Sequence, residues 1–153
     1  MYIRPSIDEI KKRLSQYSAI RVELANLEER LERLKSEETL PTMRQGDGSK
    51  PTGGTSDRQE RSIIRRMEFE ERHGAEIQAK RNELRHIECS INAVADPMER
   101  MVLRIRYTDS DNAKPMPWRA VAMAIYKDDS DSKMLAIYRL HTRALKNLQN
   151  QIH

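Results

Sequence analysis

Apolar residues recur every three or four positions along the first part of the chain, and this spacing limits what the chain can fold into. The steps between them are 3, 4, 3, 3, 4, 3, 4 and 3 for the series Ile7, Ile10, Leu14, Tyr17, Ile20, Leu24, Leu27, Leu31 and Leu34. Ser6 followed by Glu9 is a capping box at its start. The pattern predicts a long amphipathic helix with a narrow apolar seam and a three-residue stammer near Tyr17.

A segment rich in glycine and proline interrupts this pattern. Residues 40–57 hold four of the five glycines and two of the six prolines. Ordering such a segment costs more backbone entropy than its few apolar groups return, so we predict a flexible loop at 40–57. A second seam follows, weaker in its middle, formed by Ile63, Met67, Ile77, Leu84, Ile87, Ile91 and Val94.

Residues 1–95 are therefore predicted to form a helical coiled-coil segment. Two helices of this length fold back most simply as an antiparallel hairpin. The same seams would also serve between two chains, in an intermolecular coiled coil, and the sequence does not separate the two arrangements.

Composition agrees with long helices and narrow seams. Charged residues make up 34 % of the 153 residues and aromatic residues 5 %, too few large apolar groups for one globular core of this size. A single cysteine, Cys89, excludes an internal disulfide and indicates a reducing compartment. Because there is also no run of 18 apolar residues, we expect a cytoplasmic protein that has no membrane partner.

From residue 96 the pattern changes to short helices joined by polar turns. Asp96 and Pro97 start a helix, and Glu99 stands where it can reach back to the cap. After a polar loop, a short helix begins at Trp118, and a turn at 127–131 leads into a last helix. Ala122 is small enough for two helices to cross closely. We therefore predict a helix-turn-helix domain at 96–153, in an all-α protein.

These residues carry a family resemblance. "DPMERMVLRIRY", "WRAVAMAIY" and "IYRLHTRALKNL", in this order, resemble the fourth conserved region (region 4) of bacterial sigma factors. The combination with an N-terminal helical segment resembles the phage and prophage late-gene regulators of the RinA and ArpU type. The match covers about a third of the chain. Nothing resembles the promoter-melting region of a sigma factor, so the resemblance implies an accessory activator.

A DNA-binding site is predicted on the last helix. From Ser132 onward the chain has four basic and no acidic residues. Lys133, Arg139 and Arg143 are assigned to the face opposite Ile137 and Ala144, although a basic face can also be merely solvated. Near base edges we predict Ser132, Lys133, Ala136 and Arg139, and near phosphate Arg143. Arg119 and Lys127 are predicted as further contacts to the DNA backbone.

Catalytic and metal-binding chemistry is not expected. His86 and Cys89 lie one turn apart, but a zinc site needs a second pair of ligands. His141 falls on the apolar seam of the last helix and is interpreted as a packed core residue. Without a phosphate-binding glycine loop or a nucleophile elbow, we predict no enzyme, no cofactor and no metal.

The predicted function is sequence-specific binding of double-stranded DNA to regulate transcription, as a phage-encoded activator. Bacterial RNA polymerase and a second copy of the chain are the further expected partners. Two alternatives stay open. One is a phage terminase small subunit, which would package DNA. The other is a sigma-like interaction protein that binds RNA polymerase without DNA affinity, for which the acidic turn with Asp128, Asp129 and Asp131 is the best support.

Overall fold

The protein is all-α over the residues that the structure describes. A computed structural model describes residues 3–39 and 54–151, without the side chains of residues 54–56. Its helices are α1 (Ile7–Ser15), α2 (Tyr17–Thr39), α3 (Gly54–Asn92), α4 (Pro97–Leu103), α5 (Trp118–Tyr126) and α6 (Asp131–Gln151), with a π-helical turn at Arg104–Thr108 after α4. No strand occurs in this part of the chain. The predicted fold class is confirmed.

The first predicted helix is divided at Gln16. The capping box at its start is present, since the Glu9 N–H donates to Ser6 Oγ (3.2 Å) and the Ser6 N–H donates to Glu9 Oε2 (2.6 Å). The Gln16 N–H donates to the carbonyls of both Lys12 and Arg13. This break adjoins the stammer predicted at Tyr17, where two successive steps of three residues overwind the helix.

Grouped by contacts, the chain forms two compact units. We call Leu24–Ala79 the hairpin unit, and Met1–Glu23 together with Lys80–His153 the terminal unit. The division falls within α2 and α3, not at residue 95. The boundary predicted at 95 concerns which residues fold independently, and it stays a prediction.

In the hairpin unit, α2 and α3 pair antiparallel within one chain. Arg66 Nε lies 2.6 Å from Glu38 Oε1. Farther along α3, the centroid of the Phe69 ring lies 5.1 Å from the Arg30 guanidinium carbon. The residue numbers of the contacts on α2 therefore decrease as those on α3 increase, as in an antiparallel pair. Of the two arrangements that the apolar seams allowed, the structure has the hairpin within one chain.

Two predicted seam residues of α3 lie on its outer side. Ile63 and Met67 are 36 % and 57 % exposed, whereas Phe69 and Ile77 are buried at 8 % and 5 %. Residues eight apart share a helix face, while Met67 and Phe69, two apart, differ by about 200°. Phe69 is the bulkier group and faces α2, so the assignment of Ile63 and Met67 to the seam is wrong.

The start of α3 also differs from the prediction. Residues 54–57, which were assigned to the loop, form the start of the helix. The negative charge of Asp57 in the first turn interacts favourably with the helix dipole. Residues 40–53 of the predicted loop lie outside the described residues.

The terminal unit holds a core to which α4, α5 and α6 all contribute. Val102 of α4, Val121 and Ala122 of α5 and Ile137 of α6 are all 0 % exposed and form one cluster. Ala122 is thus buried where α5 and α6 meet, and the separation of the two helices by a larger side chain at this position stays a prediction.

The N-terminal helices are bound into the same unit. Ser18 Oγ donates to the Tyr107 carbonyl over 3.1 Å, and Arg21 Nη1 donates to the Thr108 carbonyl over 3.2 Å. These bonds join α2 to the π-helical turn. Arg13 adds a bidentate pair with Glu83 of α3, at 2.7 and 3.0 Å.

One detail of the α4 start is corrected. Asp96 Oδ1 caps the helix by accepting from the N–H groups of Met98 and Glu99, at 2.7 and 3.3 Å. The Glu99 carboxylate does not return to the cap. It is 3 % exposed and accepts instead from Asn147 Nδ2 of α6 at 2.6 Å. A buried carboxylate needs a donor, and Asn147 supplies one between the two helices.

Candidate nucleic-acid interface

Helices α5 and α6 and the turn between them form a helix-turn-helix. Lys127 ends α5 in the left-handed conformation at φ 54°, and its N–H donates to the Met123 carbonyl at 3.0 Å. Three residues, 128–130, separate Lys127 from the start of α6 at Asp131. Lys127 is the single described residue other than glycine with a positive φ, and it turns the chain sharply enough for α6 to pack back on α5.

The acidic turn is partly engaged in its own hydrogen bonds. The two Asp128 carboxylate oxygens accept from the N–H and the hydroxyl of Ser130, at 2.9 and 3.1 Å. Asp131 lies in the first turn of α6, where a negative charge interacts favourably with the helix dipole. Asp128 thus orders the turn, and Asp129 is the remaining carboxylate, which is exposed.

The buried face of α6 carries the predicted seam. Ile137, His141, Ala144 and Leu148 are 0 %, 6 %, 0 % and 2 % exposed. His141 Nε2 lies 2.7 Å from the Tyr107 hydroxyl, and its ring makes an edge contact with Trp118 at 4.7 Å. His141 is therefore a packed core residue, as predicted.

The opposite face of α6 is open to solvent and basic. A rotation of about 100° per residue puts Ser132, Leu135, Arg139 and Lys146 on one side, away from Ile137. All four are exposed, and so is Arg143 at the edge of this side. No acidic residue follows Asp131 in α6. We call these five exposed residues, with Arg143 at the edge, the outer face of α6. Three of them, Ser132, Arg139 and Arg143, belong to the predicted site.

Lys133 does not belong to the outer face. It precedes Ile137 by one turn, on the same side of α6, and is half-buried. Its Nζ lies 4.8 Å from the centroid of the Tyr126 ring, a cation–π contact with α5. The assignment of Lys133 to the face opposite Ile137 is therefore wrong, because residues four apart share a face.

The other predicted residues do not belong to the outer face of α6. Ala136 is half-buried at the side of α6, and Arg119 and Lys127 are exposed in the first turn of α5 and just after its last turn. Nothing in their surroundings bears on binding to DNA, so the contacts with DNA that are predicted for these three side chains stay predictions.

Leu135 and Lys146 were missed by the sequence analysis. Leu135 is 49 % exposed, although it is a large apolar side chain in the second turn of α6. The signal that would have found both residues was present, since they follow Ser132 and Arg139 at steps of three and seven, which return to one helix face.

The polar loop before α5 is held by Arg106. Its guanidinium carbon lies 4.3 Å from the centroid of the Trp118 ring, and its Nη1 donates to the Met116 carbonyl. The Met116 N–H in turn donates to the Arg106 carbonyl at 2.8 Å. Arg106 therefore fixes the start of α5, and it is not a free surface charge.

Neither a metal cluster nor a membrane helix is seen in residues 3–39 and 54–151. His86 and Cys89 are both exposed there, and no three potential ligands come together. Within the same residues, no helix has the combined length and apolar character that spanning a bilayer requires.

Comparison of the chain with protein-family models, with curated proteins and with solved structures finds no match.

Proposed function

We propose that the protein is a sequence-specific DNA-binding regulator of transcription that uses α6 as its recognition helix. On the resemblance to region 4 of sigma factors and to phage late-gene regulators of the RinA and ArpU type, the proposal is that this regulator is a phage-encoded activator. In a helix-turn-helix, the first turns of the second helix enter the major groove while the first helix crosses the backbone.

The observation that carries the proposal is the two-sided character of α6. One side is fixed in the core through Ile137 and Ala144, both 0 % exposed. The other side presents Arg139, Arg143 and Lys146 without an intervening acidic residue. A rigid helix with an exposed basic face suits both readout of bases and neutralisation of phosphates.

The N-terminal helices would supply contacts with a protein, either a second copy or bacterial RNA polymerase. In the hairpin unit Ile63, Ile64 and Met67 are exposed by 36 %, 48 % and 57 %. Neighbouring exposed apolar residues are typical of surfaces that bind a partner. A dimer would recognise two half-sites separated by about 34 Å, one turn of DNA, or a multiple of it.

Selection of bound sequences from a random duplex library, with the full chain and with Arg139→Ala, tests the proposal. We expect a defined motif for the full chain. The variant should lose preference at one base pair, with a discrimination of about 1–3 kcal/mol removed, the typical contribution of a bidentate Arg–guanine contact. Arg72→Ala is the matched control, since it removes an exposed arginine from α3 in the hairpin unit.

No enrichment by a folded sample would contradict the proposal. So would equal loss of preference in Arg139→Ala and Arg72→Ala, because a nonspecific charge effect would then explain both.

A second candidate is a polymerase-binding protein without DNA affinity. It is favoured by Asp129 and Asp131, two exposed carboxylates next to the start of α6 that would repel phosphate. Salt dependence separates the two functions. A DNA-binding protein loses affinity for duplex DNA steeply between 50 and 200 mM salt, whereas this candidate would show no duplex binding at either concentration.

A further inference from the structure

Leu135 is one of the exposed large apolar residues of the terminal unit, and it lies on α6. It is 49 % exposed, while its neighbour Met134 and the following Leu140 pack against the core of that unit. It stands in the second turn of α6, three residues after Ser132 and four before Arg139. A large apolar group therefore lies in the middle of the polar, basic outer face of α6.

The duplex has one apolar group that such a residue can recognise. In the major groove the base edges present hydrogen-bond donors and acceptors, except for the 5-methyl group of thymine. Leucine cannot form hydrogen bonds with its side chain, so at a base edge it gains free energy only by covering apolar surface.

We infer that Leu135 contacts the 5-methyl group of a thymine in the recognised DNA sequence and selects thymine at that position. The inference rests on the proposed function and adds a second specificity-determining residue to it. Four residues of an α-helix span about 6 Å. The thymine should therefore lie within about two base pairs of the base that Arg139 reads.

Within α6 as the structure describes it, Tyr138 is the other large apolar residue that is exposed, at 42 %. Its ring makes an edge contact with Trp118 at a centroid distance of 5.3 Å, and residues three apart on a helix are rotated by about 60°. Tyr138 is thus held at the side of α6 toward α5, which leaves Leu135 as the residue at the centre.

Replacement of each thymine of the selected site by deoxyuridine tests the inference, because it removes only the methyl group. For the full chain, one position in each half-site should weaken binding about fourfold, the equivalent of about 0.8 kcal/mol for one buried carbon. For Leu135→Ala the same replacement should change the affinity less than about 1.5-fold. Met101→Ala, which shortens an apolar side chain of α4 with a similar exposure of 41 %, is the control and should behave as the full chain.

Two results would overturn the inference while leaving the proposed function intact. In one, the full chain selects a site but no deoxyuridine replacement weakens its binding. In the other, the replacement weakens Leu135→Ala as much as the full chain, so that another side chain contacts the methyl group. Absence of any selected site would overturn both the proposed function and this inference.

Discussion

The Tyr107–His141 pair shows how single residues connect the elements of the terminal unit. Tyr107 is 1 % exposed, its hydroxyl lies 2.7 Å from His141 Nε2, and its carbonyl accepts from Ser18. Burial raises the pKa of Tyr107. Burial, helped by Lys11 and Arg106, lowers the pKa of His141 to about 4. At neutral pH both groups are therefore uncharged, as the buried site requires.

The low pKa of His141 predicts a loss of stability in acid. In the unfolded chain the imidazole binds a proton near pH 6.5, whereas in the folded chain its pKa is about 4. The unfolded state thus binds more protons between these values, so the free energy of unfolding falls as the pH is lowered from 6.5 to 4. We expect this residue to contribute about 2 kcal/mol of that fall, measured by urea unfolding at several pH values.

His141→Gln supplies the comparison, because glutamine retains a hydrogen-bonding group without titrating in this range. The free energy of unfolding of the full chain should exceed that of the variant by an amount that shrinks steadily from pH 6.5 to pH 4. A constant difference would mean that the imidazole is not held neutral by its surroundings.

At the scale of elements, the close approach of α5 and α6 depends on Ala122. Because Ala122 is 0 % exposed, leucine at this position has no space without moving α6. We expect Ala122→Leu to lower the free energy of unfolding by about 1–3 kcal/mol, the usual cost of overpacking a core. Ala124→Leu, on the exposed side of the same helix, is the control and should stay within about 0.5 kcal/mol.

Urea unfolding of the two variants compares them under one condition. If both lose stability equally, helix propensity or solubility is responsible, and the crossing of α5 and α6 tolerates a larger residue.

The helices were largely predictable because their signals are local. The capping box at Ser6, the cap at Asp96 and the spacing of Ile137, His141, Ala144 and Leu148 depend on residues within a few positions of one another, and all are found as predicted. The choice between seams on α3 was not local. Ile63 and Phe69 are both apolar, and only packing against α2 determines which side is buried.

The candidate site shows the same distinction. The two faces of α6 follow from helical periodicity. Arg139, two residues after Ile137, lies on the opposite face as predicted, whereas Lys133, four residues before Ile137, lies on the same face, as the same periodicity requires. The ring contact between Lys133 and Tyr126 joins residues on either side of the turn, and it depends on how α5 meets α6. Similarly, the Glu99–Asn147 bond spans 48 residues and had no local signal.

At the scale of the whole molecule, the question is which residues fold together. Residues 96–153 include the helix-turn-helix, yet carbonyls of Tyr107 and Thr108 accept from Ser18 and Arg21 of α2. Each such bond contributes about 1 kcal/mol. Ile91 and Val94 of the same unit are 1 % and 0 % exposed, although they precede the predicted boundary at 95.

We therefore expect residues 96–153 alone to be much less stable than the full chain. A fragment of this size buries a smaller share of its surface than the full chain does and is correspondingly marginal in stability. Residues 80–153 should be intermediate, because they restore Ile91 and Val94 but not the donors from α2. Thermal unfolding followed by far-ultraviolet circular dichroism should give a cooperative transition for the full chain, a lower one for 80–153 and a broad, shallow one for 96–153. If instead 96–153 unfolds cooperatively at the temperature of the full chain, the helix-turn-helix is an independent domain, and the N-terminal helices contribute no stability to it.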